Sequence, residues 1–158
     1  MLEKVLPNEP SWRVGDAARL ATIVASRGVD LIDVSAGGVH PLQYVRLHRE
    51  PGRPKAYQAY LSAHIRKVLN GRALVTTVGG ITDGHIAQGV LDSGWADAVF
   101  VGRQFQKNPG TVWQFADDLA VAICQARQHE WGFFSRGEGR QLMQALLASY
   151  DTEPKARL

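Results

Sequence analysis

Two stretches of the sequence gather residue types suited to holding an anion. Thr76 to Gly84 reads TTVGGITDG, and Phe100 to Gly110 reads FVGRQFQKNPG. In both, glycine follows a short apolar or β-branched run, where a strand would end and a helix begin. Glycine lets the backbone approach a ligand closely, so that N–H groups point at an anion. Arg103 adds a planar guanidinium that pairs with phosphate through two parallel bonds. Taken singly, Gly79-Gly80 or Gly102-Arg103 reads equally well as a tight turn. At the ends of consecutive strands the pair points to a phosphate. Lys107, close by, reads as a solvated lysine.

Other reactive side chains give less. His64 falls on the apolar face of a helical pattern and is expected to pack there. His40, His48, His85 and His129 read as surface or loop residues. Cys124 is the single cysteine, so no disulfide forms within the chain, and its helical spacing places it in the core. No Cys/His cluster has zinc spacing, so no metal is expected. Arg46, Arg49, Arg53 and Lys55 form a basic stretch, read as a solvated loop or a polyanion contact. The formal charge of +3 is too small for a nucleic-acid signature, and no nucleic-acid motif accompanies it.

The elements that must position the two glycine stretches follow from hydrophobic spacing. Asp16 to Arg27 predicts a helix with Leu20, Ile23, Val24 and the alanines on one face, stopped by Gly28. DLIDVS, residues 30–35, predicts a buried strand. Residues 36–55 read as a long loop. Tyr57 to Leu69 predicts an amphipathic helix along Tyr57, Tyr60, Leu61, His64, Ile65, Val68 and Leu69, ended at Asn70-Gly71. ALVTTV, 73–78, is the second strand. Thr82-Asp83 caps a helix running to Ser93, and Gly94 stops it. DAVFV, 97–101, is the third strand. After a turn at Asn108-Pro109-Gly110, Val112 to Arg127 predicts another amphipathic helix. A short helical pattern around Leu142 to Leu147 closes the chain.

With 158 residues, 45% of them hydrophobic and 21% charged, the chain suits one globular domain. No apolar run approaches the roughly 20 residues of a membrane span. The N-terminus has no apolar segment of signal-peptide type, and a cytoplasmic, reducing setting is expected. Strands alternating with helices imply an α/β fold with a parallel sheet and right-handed crossovers. Three strands are few, since a doubly wound sheet has about five or six. A parallel barrel has about eight. The expected fold is therefore a partial (β/α)8 TIM barrel. The two glycine junctions resemble the phosphate site built after its seventh and eighth strands.

From Trp12 through Trp131 the chain resembles the C-terminal half of the Old Yellow Enzyme family, in its short, fungal-type NADH:flavin oxidoreductase branch. The stretches that carry the resemblance are GVDLIDVSAGG (28–38), AYQAYLSAHIR (56–66), TVGGI (77–81), ADAVFVGRQFQKNP (96–109) and EWGF (130–133). The resemblance implies a (β/α)8 barrel that binds FMN, takes hydride from NAD(P)H and reduces activated C=C bonds of enone-type substrates. The strands here would be the sixth to eighth. Residues 1–158 would form the C-terminal portion of one FMN-binding domain, with a core match over 12–131 and a tail over 132–158. Gly79, Gly80, Gly102 and Arg103 would hold the FMN phosphate.

In the family, strands one to five supply the histidine or His/Asn pair that holds the substrate, the tyrosine proton donor and the Gln and Arg of the flavin pyrimidine. None of these maps onto this sequence, so no catalytic residue is assigned. In the related branch a C-terminal arginine can reach a neighbouring subunit's active site, and the resemblance makes Arg136 the candidate for it here. The chain alone is expected to bind FMN weakly, to be inactive, and to associate with itself or with a complementing N-terminal half. Two other readings stand: a non-catalytic remnant or assembly subunit that keeps only the phosphate cradle, and an independent small α/β phosphate-ligand module.

Overall fold

A computed structural model describes residues 12–36 and 55–123, with isolated positions further on. Three parallel strands form one sheet in chain order: β1 (Leu31–Val34), β2 (Leu74–Val78) and β3 (Ala98–Phe100). Helix α1 (Val14–Ala25) precedes β1, α2 (Ala59–Leu69) joins β1 to β2, and α3 (Gly84–Asp92) joins β2 to β3. Two helices follow, α4 (Arg103–Lys107) and α5 (Thr111–Asp118). The expected α/β alternation and parallel pairing are therefore present.

Register divides the sheet into two faces. Leu31 pairs with Leu74, Val34 with Thr77, Thr77 with Val99 and Val78 with Phe100. One face thus carries Val34, Val75, Thr77 and Val99. Val34 and Val75 pack with Ala18 and Ala21 of α1 and Leu61, Ile65 and Leu69 of α2. Val99 packs with Ala87 and Val90 of α3 and Phe115 of α5. Of the five helices, α1, α2, α3 and α5 pack on this face. The other face carries Leu31, Leu74 and Phe100, which are 45%, 56% and 45% exposed. It also carries Asp33 and Thr76, joined by a 2.8 Å bond from the Thr76 hydroxyl to Asp33 Oδ1.

Helix ends explain where the sequence reading holds and where it moves. Gly28 (φ 93°) and Gly94 (φ 65°) take left-handed conformations just beyond α1 and α3. There Val29 N–H bonds Val24 O and Trp95 N–H bonds Val90 O, closing the last turn of each helix. The same closure ends α5 at Asp118, not at Arg127 as its apolar spacing predicts. Val121 N–H reaches Ala116 O and Ala120 N–H reaches Asp117 O, with Ala120 at φ 52°. An alanine in the position normally taken by glycine leaves no mark in the sequence. Cys124 and Leu142 to Leu147 as a segment lie outside the described residues.

Two predicted faces also change. On α1 the alanines Ala18 and Ala21 of the predicted face are buried, while Leu20 and Ile23 of that same face stay half exposed. The two alanines pack in one cluster with Leu61, Ile65 and Leu69 of α2. On α2 the seven-residue stripe splits in two. Leu61, Ile65 and Leu69 are buried, whereas Tyr60, His64 and Val68, one step round the helix, are exposed. His64 is therefore not packed in the core.

Candidate functional site

Strands β2 and β3 end side by side, Val78 against Phe100. Beyond them the chain turns through Gly79-Gly80 and through Gly102-Arg103. Between the two turns lies a cleft of about 240 Å³. Gly79, Gly80, Gly102 and Arg103, all expected from the sequence, line it together with Gln104 and Lys107.

The two glycine positions are built differently. Gly79 (φ 108°) and Gly80 (φ 74°) adopt backbone that L side chains rarely take. A β-carbon at Gly79 would stand 2.8 Å from Cζ of Tyr57, and one at Gly80 would stand 3.0 Å from Tyr57 Cδ1. The Tyr57 ring is therefore a wall against which this backbone is laid. Ala56, at φ 51°, aims it, and Ala56 N–H donates to Gly80 O at 3.4 Å. Gln58, nearly fully buried, then clamps the chain beyond β1: Ala36 N–H donates to its Oε1 at 2.8 Å, and its Nε2 donates to Ala36 O at 3.2 Å. Residues 56–58 thus tie the C-terminal ends of β1 and β2 together. Helical spacing counts Tyr57 as part of the apolar stripe of α2. In fact it precedes the helix and faces the cleft backbone.

Gly102 has a negative φ, and a β-carbon there meets nothing within 4 Å. Arg103 follows as the first residue of α4, a five-residue helix that sequence spacing does not reveal. Its register is held from α5 by Gln114 Oε1, which accepts from Asn108 Nδ2 at 2.9 Å. Lys107 is exposed, as expected, and also lines the cleft one helical turn from Arg103.

Across the cleft, α3 begins with Asp83 as N-cap, its Oδ1 accepting from Ile86 N–H at 2.9 Å. Asp118 Oδ2 accepts from Gly84 N–H at 2.8 Å. These carboxylates offset the partial positive charge of the helix start. Lys55 Nζ lies 3.5 Å from Asp83.

The opposite end of the sheet carries a second polar cluster. Asp97 Oδ1 accepts from Arg66 Nε at 2.9 Å, and its Oδ2 accepts from Val75 N–H at 2.9 Å. Arg66 also donates to Gly94 O at 3.1 Å. Burial alone would push the Asp97 carboxyl up. The Arg66 bond, the Val75 N–H and the Arg66 charge outweigh it and hold the group below its ordinary value. Nothing in the sequence flags this cluster, since its members lie far apart along the chain.

Among the described residues there is no group of His, Cys, Asp and Glu able to hold a metal. No described helix is long and apolar enough to cross a membrane. His85 and His129 are exposed. His40, His48 and Arg136 lie outside the described residues.

No protein-family profile matches the chain. An NADH:flavin oxidoreductase of Gibberella zeae is 44% identical over 128 residues, covering 81% of this chain and 30% of its own length. An NADPH dehydrogenase of a Geobacillus species is 36% identical over 120 residues, covering 76% of this chain and 33% of its own length. The NADPH dehydrogenase of Geobacillus thermodenitrificans is 39% identical over 109 residues, 68% of this chain and 29% of its own length. The chain thus spans about a third of the length of the curated relatives it matches. Over about four-fifths of its length, it is related to the NADH:flavin oxidoreductases and NADPH dehydrogenases of the Old Yellow Enzyme family.

Proposed function

We propose that the cleft between the ends of β2 and β3 holds the phosphate of FMN. On this reading the chain is the phosphate-binding part of an FMN-dependent oxidoreductase that draws hydride from NAD(P)H, acts on activated C=C bonds and works in the cytoplasm. The observation that carries it is the meeting of Gly79, Gly80, Gly102 and Arg103 around one cleft. Gly102 adds support, because the fold itself leaves room for a β-carbon there. A ligand lying against the backbone gives that glycine a reason. The volume of about 240 Å³ suits a phosphate and the chain attached to it. Pockets that enclose a whole drug-sized ligand run to roughly 300–1,000 Å³. The described residues thus fit the phosphate end of FMN and leave its ring system unwalled.

When bound, FMN passes a hydride between the nicotinamide and the substrate. The residues here would anchor and orient it: Arg103 by a two-pronged bond to phosphate oxygens, the glycine turns by backbone N–H groups. The sheet carries its four packed helices on one face, as a barrel wall does and a doubly wound sheet does not. The exposed Leu31, Leu74 and Phe100 on the other face support completion of the fold by further strands, from a second copy or from an N-terminal half. Light scattering that gave a compact monomer at all concentrations would remove that part of the reading.

The test of the site is a titration of the purified chain with FMN, followed by quenching of flavin fluorescence. Phosphate contacts without ring contacts predict a dissociation constant near about 1 mM, worth roughly 4 kcal/mol. Arg103→Ala is expected to abolish it. Binding indifferent to Arg103→Ala would reject the site.

A further inference from the structure

The cleft holds more positive charge than one phosphate oxygen pair requires. Arg103 opens α4 and Lys107 closes it, four residues apart, so both side chains leave the same side of the helix. Both line the cleft, and no carboxylate does. Among the described residues neither is in an ion pair, whereas Lys55 is held by Asp83 and Arg66 by Asp97. The nearest acid on the facing turn, Asp83, is engaged by Ile86 N–H and Lys55. Thr82 and Gln104 complete the polar lining. His85, on the helix across the cleft, is not part of the lining.

We infer that Lys107 is a second cation of this cleft and that Arg103 and Lys107 together select a dianionic phosphomonoester. This rests on the reading of the cleft as a phosphate site. A phosphomonoester loses its second proton near about pH 6 and then carries close to two negative charges on three oxygens. The Arg103 fork takes two oxygens in a fixed plane. Lys107, a point charge on a flexible stem, compensates the charge that remains. A phosphodiester carries one charge per phosphate and a free alcohol none, so neither draws on both cations.

The experiment titrates the full chain, as wild type, Lys107→Gln, Lys107→Arg and Arg103→Ala, with FMN at about pH 7.5 and about pH 5, and with riboflavin. An exposed charge pair predicts about fivefold weaker FMN binding for Lys107→Gln at the higher pH. At the lower pH, where the ligand is a monoanion, the difference shrinks to about twofold or less. Lys107→Arg restores the wild-type affinity and pH dependence, and riboflavin responds to none of the changes. If Lys107→Gln matches wild type at the higher pH while Arg103→Ala loses FMN, the role of Lys107 is wrong and the phosphate site stands. If neither substitution weakens FMN, the phosphate site itself falls.

Discussion

Asp97, at the N-terminal end of the sheet, is surrounded by donors: Arg66 from α2 and the Val75 amide from β2. At the C-terminal end, Arg103 and Lys107 line a cleft without a carboxylate between them. The two ends use the same kinds of charge for different ends. One cluster closes on itself and joins α2, β2 and β3. The other keeps its charge outward, where a ligand can complete it. In parallel α/β folds the C-terminal ends of strands carry function and the opposite ends carry stability, and the proposed phosphate site follows that division. The separation predicts that stability and binding can be damaged independently.

Gly79→Ala is the one change expected to breach that separation. It places a side chain at φ 108° against the Tyr57 ring. A cost of about 3 kcal/mol in stability is expected, from backbone strain and the clash, along with loss of FMN binding. Chemical denaturation and flavin titration read the two effects.

Asp97→Ala should cost about 2 kcal/mol, because it leaves the Val75 amide without its acceptor inside a residue that is 0% exposed. FMN affinity should not change. Arg103→Ala mirrors it: binding is lost, while stability stays within about 0.5 kcal/mol, as for surface changes that disturb no packed or hydrogen-bonded group. A large stability loss in Arg103→Ala would show that the two ends are coupled.

Acid sharpens the contrast further. The folded Asp97 carboxyl titrates below its unfolded counterpart, so its contribution is fully present above the ordinary aspartate range and is lost as pH falls through the lower, folded value. Stability of the wild type should therefore fall more steeply than that of Asp97→Asn below about pH 4. The smallest effect belongs to Thr77→Val. The Thr77 hydroxyl is 1% exposed and has no hydrogen-bond partner among the described residues. Replacing it with a methyl group of the same shape should raise stability by about 1 kcal/mol and leave FMN binding untouched.

How far the sequence alone reveals this arrangement depends on the range of the signal. The strands were legible because DLIDVS and ALVTTV are short β-branched runs cut by turn residues. The cleft was legible because Gly79, Gly80, Gly102 and Arg103 sit directly at strand ends. Asp83 was legible as a cap, since capping acts within three residues. The end of α5 was hidden because Ala120 does what glycine usually does. Tyr57 is misplaced by helical spacing, which puts it on a helix face, and Lys107 is exposed as its sequence context predicts, although nothing in the sequence shows that it also lines the cleft. The Arg66–Asp97 pair spans 31 residues, and only the sheet brings it together.

Strand order equals chain order in this sheet, and that has a consequence for how the molecule assembles. The contact between Asp33 of β1 and Thr76 of β2 closes 43 residues of chain, whereas that between Val75 and Asp97 closes 22. Doubling a loop adds about 0.6 kcal/mol of closure entropy. By loop closure the β2–α3–β3 unit is the cheaper nucleus, and β1 with α1 is expected to dock onto it afterwards. Folding rates should accordingly respond to Val90→Ala more than to Ala21→Gly, and the side that forms first is the side that carries the cleft.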